Sequence, residues 1–173
     1  MDGGRSAPSP KRGVNRVKLV GSLIVIFSLL LGTITGCGEH HPDWASSAEP
    51  FILSIATEGE FLAFSPTELT CPAGAHVRLF FKHGGRRIPQ KHNWVLVHPG
   101  YEQTVEKAGV AAGEASGWLH KDDRHVLAAS PLCSPGGEAV IEFIAPAPGD
   151  YPFICTTPGH AAEMHGVLHV TKA

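Results

Sequence analysis

Cys155, His160 and Met164 lie within ten residues of one another in the segment CTTPGHAAEMHG, residues 155–166. A thiol, an imidazole and a thioether so close together fit three chemistries. Cysteine beside histidine can be a nucleophile and its base, but that pair needs an orienting third group and oxyanion donors, and a redox thiol needs a resolving cysteine nearby. Neither accompaniment stands near Cys155. Structural zinc takes four nitrogen or sulfur ligands, typically with paired cysteines, and catalytic zinc takes three plus water. Both leave Met164 idle. A type 1 copper centre uses all three donors, with one thiolate and two imidazoles in a plane and a weak methionine sulfur on the axis. The spacing C-x4-H-x3-M around Pro158-Gly159 lets a tight turn bring them to one point.

The missing second imidazole has to come from a separate strand, so that scaffold holds the plane against the different geometries that Cu(I) and Cu(II) prefer. Eleven histidines compete for the place. His92 is favoured by its setting, with Gln90 and Lys91 in a turn before it and the apolar run NWVLV after it. Asn93 beside it can tie this loop to the one carrying Cys155, the kind of outer contact that fixes ligand geometry. Taken alone, KHNWVLV equally describes an ordinary turn and strand. His76, His83, His98, His120, His125, His165 and His169 read as surface or strand-end residues, with no spacing that marks a second metal site.

The elements that must position these donors are short. From residue 51 onward, apolar or alternating runs are separated by turn residues: FILSIAT, FLAFSP, ELTCPAG, HVRLFFKHGG, NWVLVHPG, AVIEFIAPAPGD, YPFIC and GVLHVT. Seven or eight strands in this length, punctuated by PAG, SPGG and APGD, predict an all-β Greek-key sandwich. In AVIEFIAP the residues Ile141, Phe143 and Ala145 form an apolar face and Val140, Glu142 and Ile144 a mixed one, the pattern of a strand with one solvated side. Between residues 101 and 120 the period breaks, and the Ala- and Glu-rich stretch around 102–118 permits a short helix or a flap outside the sandwich.

At the other terminus Lys11, Arg12, Arg16 and Lys18 precede an uncharged, mostly apolar run that ends in Ile34-Thr35-Gly36-Cys37. That is the layout of an export signal, and ITGC resembles the bacterial lipobox, whose cysteine is lipidated and becomes the mature N-terminus. The alternative is an uncleaved anchor, since residues 19–36 are at the lower edge of the roughly 17–25 residues that span a bilayer. Small residues running into cysteine favour the lipoprotein. The expected organisation is a removed signal at 1–36, a flexible polar tether at 37–50 and one domain at 51–173, exported and held by a lipid on Cys37, facing the periplasm or the cell exterior. Without residues 1–36 the chain carries 9 Lys and Arg against 15 Asp and Glu, formally −6. That balance argues against a nucleic-acid partner.

Together the pieces resemble the azurin and auracyanin group of cupredoxins. HNWVLV at 92–97 is similar to their first-ligand strand, and APGDYPFICTTPGHAAEMHGVLHV at 147–170 to their copper loop and closing strand. FSPTELTCPAGAHVRLFF and WLHKDDRHVLAASPLCSPGGEAVIEF are similar to the stretches between, so the likeness covers nearly all of 51–171. The resemblance implies a two-sheet sandwich with one type 1 copper ion near one end, held by His92, Cys155, His160 and, weakly, Met164. It implies a one-electron carrier between exported redox proteins, with His160 as the exit, no small-molecule substrate and no enzymatic reaction. Copper storage or delivery by the same ligands, and a metal-free structural sandwich, are the competing readings. Lys91 stands where azurins have a glycine whose carbonyl faces the metal, and Thr157 replaces a phenylalanine. With Gln90, Lys91 and Glu163 at the rim, the partner surface is expected to be more polar than azurin's, and its association to weaken with salt. Cys71 and Cys133 occupy slots where the family commonly has aliphatic residues. They are expected to be two small apolar side chains and not a disulfide, which would need their Cα atoms within about 7 Å.

Overall fold

A computed structural model describes residues 49–172; the expected signal, Cys37 and nearly all of the tether lie outside them. Alternation sets the strands. In β4, His76–Lys82, Val77, Leu79 and Phe81 are buried while Phe80 and Lys82 are exposed. In β7, Glu138–Ile144, Ile141 and Phe143 are buried and Val140, Glu142 and Ile144 face out. β4 and β7 pair antiparallel, and β4 pairs parallel with β1, Phe51–Thr57, whose far end takes the two-residue β2, Phe64–Ser65. The first sheet therefore runs β2-β1-β4-β7.

The second sheet has the order β3-β9-β8-β5-β6. Its members are β3, Glu68–Pro72, β5, Val95–Val97, β6, Val126–Ala129, β8, Gly149–Ile154, and β9, His165–Thr171. β3 lies parallel to β9, and β8 is antiparallel to both β9 and β5. Among the described residues nine strands in two mixed sheets make the expected sandwich, with one strand, β6, that the apolar runs did not announce.

Between the sheets Phe64, Phe81, Trp94, Phe143 and Phe153 form an aromatic centre, with ring centroids 5.5–6.2 Å apart in tilted and edge-on pairs. Such pairs add about 0.5–1.5 kcal/mol each beyond area burial. Cys71, Cys133, Cys155 and Met164 belong to the same buried cluster. Cys71 and Cys133 are both unbonded and buried, as small apolar side chains would be.

The break in period at 101–120 is a helix, α1, Glu102–Ala112, followed by a single 3-10 turn, Glu114–Ser116. α1 covers the outer face of β5: Val105 packs in a second cluster with Val95, Val97 and Ile154. β5 is thus buried on both faces, which is why its sequence runs apolar without alternation. Gly109 sits in the helix despite its propensity cost because a Cβ there would strike the Trp118 carbonyl.

Candidate metal centre

β5 and β8 are antiparallel, with Val95 opposite Ile154, so the segment leading into β5, with His92 three positions ahead of it, and Cys155 just after β8 lie at the same end of the sandwich. That register brings together His92 and Cys155, 63 positions apart. His160 joins them from the loop to β9. His92 Nδ1 lies 3.1 Å from His160 Nδ1, and Cys155 Sγ lies 3.8 Å from the first and 3.7 Å from the second. All three side chains are buried.

This triangle can be tested against an ion. With the bonds of a first-row divalent metal, about 2.0 Å to imidazole and about 2.3 Å to thiolate, a flat trigonal site needs about 3.5 Å between nitrogens and about 3.7 Å from nitrogen to sulfur. The observed triangle has that shape with the imidazoles drawn slightly together, and its soft thiolate with two imidazoles suits copper. Met164, the chain's only methionine besides Met1, is fully buried in the same turn. Its N–H donates to the His160 carbonyl at 2.8 Å and its carbonyl accepts the Cys155 N–H at 3.0 Å, closing the loop on itself.

Backbone and side-chain ties hold the two ligand segments together. The His92 N–H donates to the Cys133 carbonyl at 3.0 Å, and the His92 carbonyl accepts the Cys133 N–H at 2.8 Å. Asn93 is fully buried; its Oδ1 accepts the Thr156 N–H at 2.9 Å, and its Nδ2 donates to Thr156 Oγ1 at 2.7 Å and to the Gly117 carbonyl at 2.9 Å. Thr156 Oγ1 in turn donates to the Trp118 carbonyl. One amide therefore joins the strand of His92, the loop of Cys155 and the flap after α1. The Lys91 carbonyl accepts the Thr157 hydroxyl at 2.9 Å.

Burial sets the protonation. Desolvation, then the neighbouring His83 and His160, lower the His92 pKa to about 4. Burial lowers His160 as well, so both rings are neutral near pH 7 and free to donate lone pairs. Burial raises the Cys155 thiol, opposed by hydrogen bonding from Thr157 and the Asn93 backbone. Metal uptake must therefore displace the thiol proton.

His83 stands at a strand end as expected, directly after β4, but it is buried, and its ring is tilted 40° against that of His92 with centroids 4.5 Å apart. Its Nδ1 accepts the Gly85 N–H at 3.1 Å and its Nε2 meets the Gln90 carbonyl at 3.0 Å, which hold the ring in place. Nothing local in KHGG marked this; only the fold carries residues 85 and 90 around the ring.

The fold and the donor set define a β-sandwich protein with one mononuclear soft-metal site at one end. Residues 52–171 match the model of the copper binding proteins of the plastocyanin/azurin family, and the chain belongs to that family. It is 40% identical to auracyanin-A of Chloroflexus aurantiacus over 88% of this chain and 95% of the relative. It is also 39% identical to azurin of Bordetella pertussis, over 50% of this chain and 61% of that one. The solved structure of auracyanin A, described as a "blue" copper protein, superposes with a TM-score of 0.66, covering 71% of this chain and all of the other. The azurin iso-2 of Methylomonas strain J does so with 0.65 at 26% identity, covering 72% of this chain.

Proposed function

We propose that this chain is a one-electron carrier whose copper would be held by His92, Cys155 and His160, with Met164 as a weaker ligand. The observation that carries the proposal is the buried triangle of 3.1, 3.7 and 3.8 Å, close to the size that a trigonal ion needs. Copper bound there would supply the one-electron couple. The rest is done by the protein. His92 and His160 stay neutral, so the donors need no proton rearrangement beyond loss of the thiol proton. The Asn93 amide and the paired His92 and Cys133 backbones keep the plane from relaxing when the charge at its centre changes, which keeps reorganisation small. Core side chains on the inner side, Phe153 and Trp94 among them, exclude water.

His160 is 6% exposed against 3% for His92 and none for Cys155, and its Nδ1 is turned to the other donors. Its Nε2 edge is therefore the exit for the electron, on a loop whose Pro158 and Gly159 are exposed. Adding Cu(II) to the metal-free protein should produce an intense visible thiolate-to-copper band and a reversible couple. A protein that stays colourless, or a band that survives Cys155→Ser, would contradict the assignment.

The proposal extends to location. The basic residues, the apolar run and Cys37 in ITGC support an exported chain with a lipid on Cys37, tethered through residues 38–50 and exchanging electrons with other exported redox proteins. Metabolic labelling with a radioactive fatty acid should mark the protein and fail to mark Cys37→Ser. Equal labelling of the two would reject the anchor.

A further inference from the structure

Residues 84–91, GGRRIPQK, contain Arg86, Arg87 and Lys91 and no acidic residue, whereas the rest of residues 49–172 holds 13 Asp and Glu against 6 Lys and Arg. This is a local reversal of sign on an acidic domain, and it lies against the metal centre. The Lys91 carbonyl holds Thr157 of the ligand loop, the Gln90 carbonyl holds His83, and the His83 ring lies on that of His92.

The loop is built to present its charge. Both oxygens of Glu60 are occupied by its backbone: Oε1 accepts the Arg86 N–H at 2.6 Å and the Arg87 N–H at 2.9 Å, and Oε2 accepts the Ile88 N–H at 3.1 Å. Three donors on one carboxylate pin the turn and absorb much of that carboxylate's field. That carboxylate still attracts the Arg87 guanidinium, but neither guanidinium closes an ion pair with it. Among the described residues Arg78, Lys82 and Lys91 each make an ion pair, with Glu142, Glu138 and Glu114. Neither Arg86 nor Arg87 is in one, and both are exposed. Between them and Lys91 stands Ile88, 43% exposed. An apolar residue flanked by unpaired arginines is the composition of a recognition surface, where arginine is enriched and charge complementarity sets the encounter rate.

We propose that residues 84–91 form a basic docking ridge for a redox partner that presents a carboxylate-rich face, seating that partner over the metal end of the sandwich. The inference rests on the electron-carrier reading above and names the chemistry of its partner. Arginine suits the task because its planar fork takes a carboxylate with two hydrogen bonds, and Ile88 gives the contact a dry centre. The carboxylates in contact with the ridge are Glu60, which accepts its backbone N–H groups, and Glu114, paired with Lys91. Glu163 on the ligand loop is exposed.

The test uses copper-loaded protein and two oxidants of the Cu(I) form, anionic hexacyanoferrate(III) and cationic tris(phenanthroline)cobalt(III). At low ionic strength the double variant R86E/R87E should slow the anionic oxidant about tenfold and speed the cationic one, while K107E/K121E, with the same change of charge on α1 and the segment after it, should alter both less than about twofold. R86Q/R87Q should show about half the logarithmic effect, which separates charge from any disturbance of the turn. Hexaglutamate peptide, followed by amide shifts, should move residues 85–92 in the wild type at low salt and leave them still in R86E/R87E. Equal effects of the two glutamate double variants, or peptide shifts centred on Lys107 and Lys121, would overturn the ridge. If the visible copper band and potential are unchanged in every variant, failure falls on the docking proposal alone; if the wild type has no such band, the carrier reading itself fails.

Discussion

Replacing Asn93 by alanine should damage the metal centre from a distance, and the cost can be worked out bond by bond. The amide makes three hydrogen bonds. Thr156 Oγ1 keeps its bond to the Trp118 carbonyl and loses little. The Thr156 N–H and the Gly117 carbonyl have no other partner described and would be left unpaired. Orphaned groups of this kind cost about 1–3 kcal/mol each, so a loss of about 2–6 kcal/mol in the stability of the metal-free protein is expected. Because the same amide ties the His92 segment to the Cys155 loop, copper affinity should also fall, by about 10–100-fold as for other contacts that orient ligands. Urea unfolding of the metal-free variant gives the first number and a competition titration with a Cu(II) chelator the second. A variant less than about 0.5 kcal/mol weaker, with unchanged copper affinity, would refute the claim that this side chain holds the site together.

Stability should fall as pH drops. His92 is depressed from 6.5 to about 4 and His160 shifts the same way, so the folded chain binds fewer protons than the unfolded one across this window; the stability they contribute is complete above pH 6.5 and lost toward pH 4. His92 alone accounts for up to about 3 kcal/mol, read as the urea midpoint of metal-free protein against pH. The upper part of the window isolates the histidines, because the shifted carboxylates, Glu60, Glu138 and Glu142, all lie below their ordinary value of 4.5; a flat profile from pH 6.5 to 5 would count against the buried neutral rings. Gly166→Ala should destabilise by about 1–3 kcal/mol or more, since its Cβ would meet the Thr67 carbonyl, which cannot swing away, and the Phe153 ring. Thermal unfolding would show it, and an unchanged midpoint would mean the strands separate more easily than their packing implies. Cys71 and Cys133 should be alkylated after unfolding without reductant and be protected in the native protein, because both are buried, unbonded and raised in pKa by burial. Mass spectrometry of the alkylated peptides distinguishes these states from a disulfide.

The sandwich was legible where local pattern and burial agree. Ile141, Phe143 and Ala145 alternate with exposed neighbours because β7 has one solvated face, and the sequence shows it directly. β6 was not legible: Val126–Ala129 is half-buried at every position, carries no alternation, and exists through its pairing with β5. The ligand loop stood out because Cys155, His160 and Met164 are close in sequence. His92 was one histidine among many; its setting between a polar turn and an apolar strand favoured it and the family likeness selected it, since the antiparallel register that brings it to Cys155 is a long-range property. His83 and Glu60 were invisible for the same reason. The ring of His83 is covered by residues of a loop that folds back over it, and the Glu60 carboxylate finds its three N–H groups 26–28 positions away.

The central claim is that the protein holds one copper in the same nest of donors whether oxidised or reduced, and X-ray absorption on both forms measures this directly. The expected result is a first shell of one sulfur and two imidazole nitrogens in Cu(II) and Cu(I) alike, with distances agreeing within about 0.2 Å and the sulfur lost in Cys155→Ser. A shell that changes its ligands on reduction, or one that keeps its sulfur in that variant, would contradict it.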